Sequence, residues 1–360
     1  MLNFVDDSAP GITRKKMKIG WGYYDPDGKR ITDRTEIDRL NKLGMPPAYE
    51  RCWFCADPNG HLQGVGFDAK GRKQYRYHPE FRANQEMAKF ERLARFGHAL
   101  PKLRRKIEED ITGRKLDPDT VLAAVVRLID ETHMRVGSEE YVKSGKSFGA
   151  TTLRNRHARV EGSKLKLSYQ GKHGIKQTVT VTDRNLARIA KRTQDLPGQH
   201  LFEFITPDGE IRPVTSSDVN AYIKDAMGED FTAKDFRTWG ASVIAFEEMA
   251  KRAAENPRIK LKEVMEPVAE ALGNTPAISR KSYVHPAIIE AAKDAGAIGT
   301  RKLPRAGKYL SAYERGLIEF LEALPTEEAK VEAAAEASGK TVDQIADDVR
   351  GQLEASVSAA

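Results

Sequence analysis

The chain has 360 residues, of which 31% are charged, and its formal net charge is +7. That length is sufficient for two domains with separate hydrophobic cores. No stretch approaches the length of a membrane span, and the N-terminus lacks the basic-then-apolar pattern of a secretory signal. We therefore expect a cytoplasmic protein rather than a membrane or secreted one.

The charge is unevenly distributed along the chain. Residues 326–360 contain eight acidic and three basic residues, a net charge of −5, so residues 1–325 carry +12. A body this basic favours an extended anionic partner, and nucleic acid is the first candidate. The alternative is ordinary solvated charge. The acidic segment is rich in Ala and Glu and has few large apolar residues, which predicts a mobile appendage or a loosely docked helix.

The only cysteines, Cys52 and Cys55, form a CxxC motif. The surrounding residues predict a strand, in which residues three apart point to opposite faces. A second CxxC that could complete a tetrahedral zinc site is absent from the sequence. We therefore predict two packed, reduced thiols rather than a metal or redox site.

The N-terminal 85 residues are predicted to be rich in strands. A basic run at 14–18 and aromatic residues at 21–24 precede a short helix at 32–43, with Thr32 or Asp33 as its cap. Three extended runs follow from Tyr49, separated by turns at 57–60 and 69–72.

The last of these runs, GRKQYRYH at residues 71–78, interleaves cations with tyrosines and an amide. Such a mixture can contact phosphates and also hydrogen-bond to base edges in a major groove. The alternative is a solvated edge strand. The candidate nucleic-acid contacts are Arg72, Lys73, Gln74 and Tyr75.

The middle of the chain alternates helical and extended patterns. Residues 80–109 are helical, with a break expected near Gly97 and Pro101. An amphipathic helix at 120–134 begins after Asp117 and places Arg135 at its end. Segments from residues 151 and 164 predict a β-meander with Lys172 exposed in the turn at 171–174. A hairpin at 201–214 and a helix from 215 to 227 follow.

Residues 231–253 predict a long core helix, whose first turns carry Lys234 and Arg237. The stretch SGKS at 144–147 is similar to part of a phosphate-binding loop. It lacks the upstream glycine and the preceding strand, so no nucleotide site is predicted.

The stretch LGNTPAISRKSYVHP, residues 272–286, lies between two helical patterns. Gly273 would end the preceding helix, Pro276 suits the first turn of the next one, and Pro286 interrupts it. Tyr283 is therefore expected at a helix boundary. Arg280 and Lys281, which precede it, would hold a nearby phosphate and stabilise a developing phenolate.

A helix to residue 295, a basic linker at 301–308 and a helix near 312–324 complete the body.

Five residues along the chain suit attack on a phosphodiester. A tyrosine is a nucleophile, two guanidinium groups can neutralise the charge on non-bridging oxygens, and an amide adds a donor. A lysine on a hairpin can protonate the departing oxygen as a general acid. These residues are Arg135, Lys172, Arg237, Asn274 and Tyr283.

Six segments carry a family pattern, in order: GRKQYRYH, RVGSEEY, TLRNRHARV, QGKHG, FTAKDFRTWGAS and LGNTPAISRKSYVHP. Over about residues 12–315 the chain resembles the type IB DNA topoisomerases, in particular the compact bacterial and poxvirus-like members. The resemblance implies that Tyr283 is the nucleophile, that Arg135 and Arg237 stabilise the transition state, and that Lys172 is the general acid. Gln74 and Tyr75 match positions that reach the major groove in relatives.

Two departures from the family pattern affect what can be carried over. Asn274 stands where many members have histidine, so charge stabilisation there must come from hydrogen bonding alone. Ser138 and Glu140 stand where the poxvirus enzymes have lysines that touch DNA, so the sequence preference of those enzymes is not expected here.

Two other functions remain open from the sequence. A tyrosine recombinase or integrase shares this chemistry, but its second box usually reads HxxR, whereas this chain has Lys234-Asp-Phe-Arg237. A non-catalytic DNA-binding protein would have no need of Tyr283 or Lys172.

The expected fold is α+β, of the tyrosine recombinase and topoisomerase IB type. Residues 1–85 would form a small β-rich DNA-clamp domain, residues 86–325 a mainly helical catalytic domain with a β-meander, and residues 326–360 the acidic tail. The resemblance implies ATP-independent relaxation of supercoiled duplex DNA through a 3′-phosphotyrosine. The sequence requires no metal or cofactor. We expect a monomer that clamps double-stranded DNA and is associated with the nucleoid.

Overall fold

The computed structural model describes residues 2–145, 147–255, 259–292, 298 and 302–325. Residues 2–88 belong to one compact unit and residues 89–324 to a second. The predicted acidic tail, residues 326–360, lies outside the described residues. Within the described part of the chain, no helix combines the length and the apolar character needed to cross a membrane.

The first unit contains an antiparallel sheet and one short helix. The strands are β1 (Ile12–Lys16), β2 (Trp21–Tyr24), β3 (Glu50–Phe54), β4 (Leu62–Phe67) and β5 (Lys73–Tyr77), in the order β2-β1-β3-β4-β5. Helix α1 (Arg34–Lys42) begins at Asp33, whose carboxylate accepts from two backbone N–H groups. The sequence shows β1 and β2 only as a basic run and an aromatic cluster. Most side chains of β1 are cations, so the strand lacks a clear alternation of apolar and polar residues.

The two cysteines are free and buried, as predicted. Burial raises the pKa of both thiols, which makes them less reactive. Their sulfur atoms pack beside different glycines, Cys52 beside Gly66 and Cys55 beside Gly60.

The second unit is mainly helical. Its helices, with α2 beginning in the first unit, are α2 (Pro79–Glu91), α3 (Leu93–Asp110), α4 (Pro118–Thr132), α5 (Glu139–Gly145), α6 (Arg184–Gln194), α7 (Ser216–Met227), α8 (Ala233–Glu255), α9 (Leu261–Leu272), α10 (Pro276–Ser282), α11 (Pro286–Ala291) and α12 (Ala312–Glu322). The helix predicted to reach residue 295 is described as far as Ala291, and residues 293–297 lie outside the described part.

The prediction of a break near Gly97 and Pro101 is wrong. Helix α3 runs through both positions, and the break falls at Arg92. Gly97 serves close packing, because a Cβ atom there would lie 2.5 Å from the ring of Trp239. A proline inside a helix costs about 3 kcal/mol. The apolar stripe of α3, which buries Leu100 and Leu103 completely, offsets that cost.

A β-meander and a short hairpin complete the second unit. Strands β6 (Ala158–Glu161), β7 (Lys164–Gln170) and β8 (Lys176–Thr182) pair in chain order, as predicted, and β9 (Glu203–Ile205) pairs with β10 (Ile211–Pro213). Burial alternates along β7, so that Leu165, Leu167 and Tyr169 point into the core. Together with the helices this confirms the predicted α+β fold.

Candidate active site

Arg135 follows the C-terminal end of α4. The helix starts at Asp117, whose carboxylate accepts from the N–H of Thr120, and ends at His133 in the left-handed conformation, with φ 53° and ψ 22°. That conformation turns the chain out of the helix. Nη2 of Arg135 then donates to Oδ1 of Asn274 at 2.8 Å.

Arg237 lies in the second turn of α8 and is only 4% exposed. Its guanidinium donates to the backbone oxygen of His133 and to that of Leu272, the latter at 3.0 Å. The same group lies over the ring of Tyr283, with Cζ 5.0 Å from the ring centre. Arg237 therefore connects the ends of α4 and α9 with the tyrosine.

Tyr283 directly follows α10 and is half-buried. Its N–H donates to the oxygen of Ser279 at 3.0 Å. Its own oxygen accepts from Oγ of Ser242 at 3.4 Å, and the same Oγ accepts from the N–H of His285 at 3.0 Å. Hydrogen bonds on both sides therefore fix the main chain of Tyr283.

Three cations from distant parts of the chain lower the pKa of Tyr283. Burial acts in the opposite direction, but the charge of Arg237 and its hydrogen bond, together with the charges of Arg135 and Lys172, hold the pKa below its usual value of 10.0. A larger fraction of the side chain is therefore ionised at neutral pH, and the phenolate is the nucleophilic form.

Asn274 lies two residues beyond α9, which Gly273 ends in the left-handed conformation with φ 59°. Oδ1 of Asn274 accepts from Arg135, whereas Nδ2 is buried and has no hydrogen-bond partner among the described residues. Nε of Arg237 is likewise buried and has no hydrogen-bond partner among the described residues. Buried donors are normally paired, so these two are available to a ligand that accepts hydrogen bonds.

Lys172 is exposed in the turn between β7 and β8. The turn is closed by the N–H of Gly171, which donates to the oxygen of Ile175 at 2.8 Å. His173 within it is left-handed, with φ 64°. The side chain of Lys172 is thus solvated, and its charge is one of those that lower the pKa of Tyr283.

Residues 272–274, which we call the 272–274 turn, bring several segments together. The oxygen of Leu272 holds Arg237, and the side chain of Asn274 holds Arg135. Arg135 therefore contacts Asn274, Arg237 contacts Tyr283, and both arginines are held at this turn. Lys172 acts on Tyr283 through its charge. An arrangement of one phenol, two guanidinium groups and one amide suits a pentavalent phosphorus transition state.

Comparison with known proteins identifies the family. Residues 78–307 match the model described as eukaryotic DNA topoisomerase I, catalytic core, and residues 20–68 match bacterial DNA topoisomerase IB, N-terminal domain. DNA topoisomerase 1B of Acanthamoeba polyphaga mimivirus is 34% identical over 285 residues, which cover 76% of this chain and 85% of the relative. The chain belongs to the type IB DNA topoisomerase family. The resemblance drawn from the motifs is confirmed.

A more distant relative agrees with this assignment. DNA topoisomerase 1B of vaccinia virus (strain Copenhagen) is 25% identical to this topoisomerase over 254 residues, 68% of this chain and 76% of the relative. A crystal structure of the XerH site-specific recombinase bound to a palindromic difH substrate covers 54% of this chain and 50% of its own, with 18% identity and a TM-score of 0.36. A likeness that low does not bear on function.

The candidate DNA contacts of this topoisomerase on β5 do not share one face. Exposure alternates along the strand, so Lys73 and Tyr75 lie on one face and Gln74 on the other. Two of the polar side chains have acidic partners: Lys73 pairs with Asp7 at 2.6 Å, and Gln74 donates to Asp68 at 3.2 Å. Arg72 also pairs with Asp68, at 2.7 Å.

The remaining candidate contacts are exposed cations of the second unit. Lys234 lies in the first turn of α8, and Arg280 and Lys281 lie in the last turn of α10. Their DNA contacts stay a prediction.

Sequence reasoning missed the groups that position the site through the main chain. The backbone oxygens of His133 and Leu272 carry no sequence signal at all. Ser242 follows Arg237 in the motif FTAKDFRTWGAS, and only its distance to Tyr283 reveals its role. Lys89, at the end of α2, donates from Nζ to the oxygen of Ser282 at 2.9 Å, which is a favourable position for a cation at a helix C-terminus.

Proposed function

We propose that this topoisomerase relaxes supercoiled duplex DNA by cleaving one strand through a 3′-phosphotyrosine on Tyr283 and resealing it without ATP. The observation that supports this most is the contact set around Tyr283. A phenol with a lowered pKa lies under the buried guanidinium of Arg237. Two buried donors of the candidate site, on Arg237 and Asn274, have no partner among the described residues.

The proposed reaction is an in-line transesterification. Oη of Tyr283 attacks phosphorus and forms an O–P bond, while the bond from phosphorus to the 5′ oxygen breaks. Arg135 and Arg237 neutralise charge on the non-bridging oxygens, and Nδ2 of Asn274 donates one further hydrogen bond. Lys172 gives a proton to the departing 5′ oxygen.

Resealing reverses these steps. The 5′ hydroxyl attacks the phosphotyrosine, loses its proton to Lys172 and expels the tyrosine. One phosphodiester is exchanged for another of similar energy, so no nucleotide hydrolysis is needed. Torsion is lost while the strand is open, because the free 5′ end rotates about the intact strand.

Relaxation of supercoiled plasmid in EDTA and without nucleotide tests the proposal. We expect a ladder of relaxed topoisomers with the wild-type chain and none with Tyr283→Phe, because that variant lacks the nucleophilic oxygen. Tyr283→Phe should still bind duplex DNA, since it loses no phosphate contact.

A protein–DNA adduct on denaturing gels is the second readout. Wild type should form it and Tyr283→Phe should not. An adduct with the Phe variant, or a requirement for ATP, would contradict the proposal. That the enzyme works as a monomer clamped around the duplex stays a prediction, which sedimentation of the complex with a short duplex would check.

A further inference from the structure

Strand β8 carries a polar residue at the turn end of its inner face. Gln177 pairs with Tyr169 of β7 and shares its face with Val179 and Val181. Gln177 is half-buried, and Tyr169 beside it is buried. A glutamine on the inner face of a strand, beside apolar residues, loses hydration. Its presence there suggests that its side chain makes a contact with a specific role.

The side chain of Gln177 contacts two glycines from different parts of the site. We call residues 171–174, between β7 and β8, the Lys172 turn. A Cβ atom at Gly171, its first residue, would lie 3.0 Å from Cγ of Gln177. A Cβ atom at Gly273 would lie 2.6 Å from Oε1 and 2.8 Å from Nε2. The amide therefore lies directly against the main chain of the 272–274 turn, where Gly273 has no side chain to displace it.

This contact joins the Lys172 turn to the segment that organises the other reacting groups. On either side of Gly273, Leu272 holds Arg237 and Asn274 holds Arg135. Lys172 itself is exposed, and its side chain has four rotatable bonds. Contacts of the lysine side chain therefore cannot hold the turn in place.

We propose that Gln177 is a positioning residue for Lys172, which sets the distance of the Lys172 turn from the phosphodiester by packing against Gly273. The inference rests on the proposed function, in which Lys172 protonates the 5′ oxygen. Gln177 touches no reacting atom. Its loss should therefore impair proton transfer and leave the charge stabilisation by Arg135 and Arg237 unchanged.

A substrate with a 5′-bridging sulfur separates these two effects. An alcohol leaves slowly as its anion and needs a proton, whereas a thiol has a pKa near 8.5 and leaves readily as thiolate. A variant that is defective only in proton transfer should be slow on the oxygen substrate and close to wild type on the sulfur substrate.

The experiment is single-turnover cleavage of both substrates by the full chain. We expect Gln177→Ala to cleave the oxygen substrate about 10–100-fold more slowly, the cost of a displaced catalytic group, and the sulfur substrate at nearly the wild-type rate. Gln177→Met, which preserves the length of the side chain, should restore most of the oxygen rate. Thr180→Ala, exposed on the same strand, is the matched control and should leave both rates unchanged.

Two results would overturn the inference. A wild-type rate of Gln177→Ala on oxygen would show that the contact does not matter. An equal loss on both substrates would show a general distortion of the site or of folding. Lys172→Ala is measured in parallel: if sulfur does not rescue it, the general acid of the proposed function is wrong, whereas rescue of Lys172→Ala without rescue of Gln177→Ala overturns the positioning role alone.

Discussion

Asn274 has one side-chain acceptor and one donor group, and Arg135 occupies only the acceptor. The two atoms can therefore be tested separately. Aspartate has nearly the same shape and keeps an oxygen for Arg135, but it has no N–H to donate. Neutral histidine can accept on one ring nitrogen and donate from the other.

We predict that Asn274→Asp slows cleavage by at least about 10²–10³-fold, the range for loss of one transition-state donor, because it also places a negative charge beside the phosphate. Asn274→Ala should fall in the same range, and Asn274→His should preserve much of the rate. Single-turnover adduct formation measures all three. Equal rates for Asp and wild type would remove Nδ2 of Asn274 from the chemistry.

The lowered pKa of Tyr283 predicts a pH dependence. Cleavage should speed up as pH rises toward that pKa, because the phenolate fraction increases. Burial alone would raise the pKa, and Arg237 is the strongest of the groups that lower it. In Arg237→Gln the pKa should return upward, so the midpoint of the rate profile should move to higher pH.

The midpoint is the quantity to compare, since Arg237→Gln also loses a transition-state contact and is slow at every pH. Lys251→Gln removes an exposed cation from the same helix and should leave the midpoint unchanged. An unchanged midpoint in Arg237→Gln would mean that the profile reports another group.

Local sequence reasoning assigned the stabilisation of the phenolate to Arg280 and Lys281, the neighbours of Tyr283 in the chain. In the folded chain, burial raises the pKa of Tyr283, and Arg237, Arg135 and Lys172 lower it. Both neighbours are exposed on the last turn of α10. Chain proximity is a poor guide at a helix end, since successive side chains there leave in different directions. The family motifs pointed to Arg135, Lys172 and Arg237, which lie far from Tyr283 in the chain.

At the level of helices, α12 is tied to the core that carries the site. Oε1 of Glu314 accepts from Nη2 of Arg104 at 2.8 Å and from Nε1 of Trp239 at 3.2 Å. Arg104 also pairs with Asp130 on α4 at 2.8 Å. Trp239 lies two residues beyond Arg237, so the ion cluster supports the part of α8 that carries Arg237.

Glu314→Ala should lower the free energy of unfolding by about 3–5 kcal/mol, because it leaves a buried arginine partly unpaired. Burial raises the pKa of Glu314, but the hydrogen bond and charge of Arg104, together with hydrogen bonds from Ser311 and Trp239, lower it further, so the folded pKa is below the unfolded one. This stabilisation is complete above the unfolded pKa of about 4.3 and is lost as pH falls through the folded pKa.

Urea unfolding at neutral pH and at pH 3 measures both effects. The difference between wild type and Glu314→Ala should shrink at the lower pH. Glu319→Ala, exposed on the same helix, should change stability by at most about 0.5 kcal/mol at either pH. A pH-independent difference would mean that packing, not charge, makes the contribution.

Helix ends were the part of the fold that sequence predicted best. Asp33, Asp117, Thr215 and Gly273 cap helices as their chemistry requires. Gly97 and Pro101 were misread because the same residues that break a helix also permit close packing inside one. Gly97 packs against Trp239, which is 142 residues further along the chain. No local sequence pattern can show a contact over that separation.

For the molecule as a whole, the +12 charge of residues 1–325 predicts binding that weakens steeply with salt, because cations on the protein release counterions from the duplex. Removing residues 326–360 takes away a net charge of −5. We expect the truncated chain to keep its relaxation activity and to bind modestly tighter at low salt, with the difference vanishing as salt is raised.

A salt titration of duplex binding by both chains checks this, with plasmid relaxation as the activity readout. The full-length chain with its tail acids changed to glutamine and asparagine is the matched control for length. Loss of relaxation on truncation would place residues 326–360 in the catalytic domain.

The fixed main chain of Tyr283 has a mechanical consequence. Under the proposed reaction the tyrosine becomes the attachment point of a broken strand, and torque in the DNA is transmitted to it while the other end turns. Hydrogen bonds from Ser242 and to Ser279, with Lys89 on the preceding carbonyl, anchor that point to three separate helices. The load is shared among α2, α8 and α10 rather than borne by one flexible loop, so the phosphate stays where the returning 5′ hydroxyl must find it.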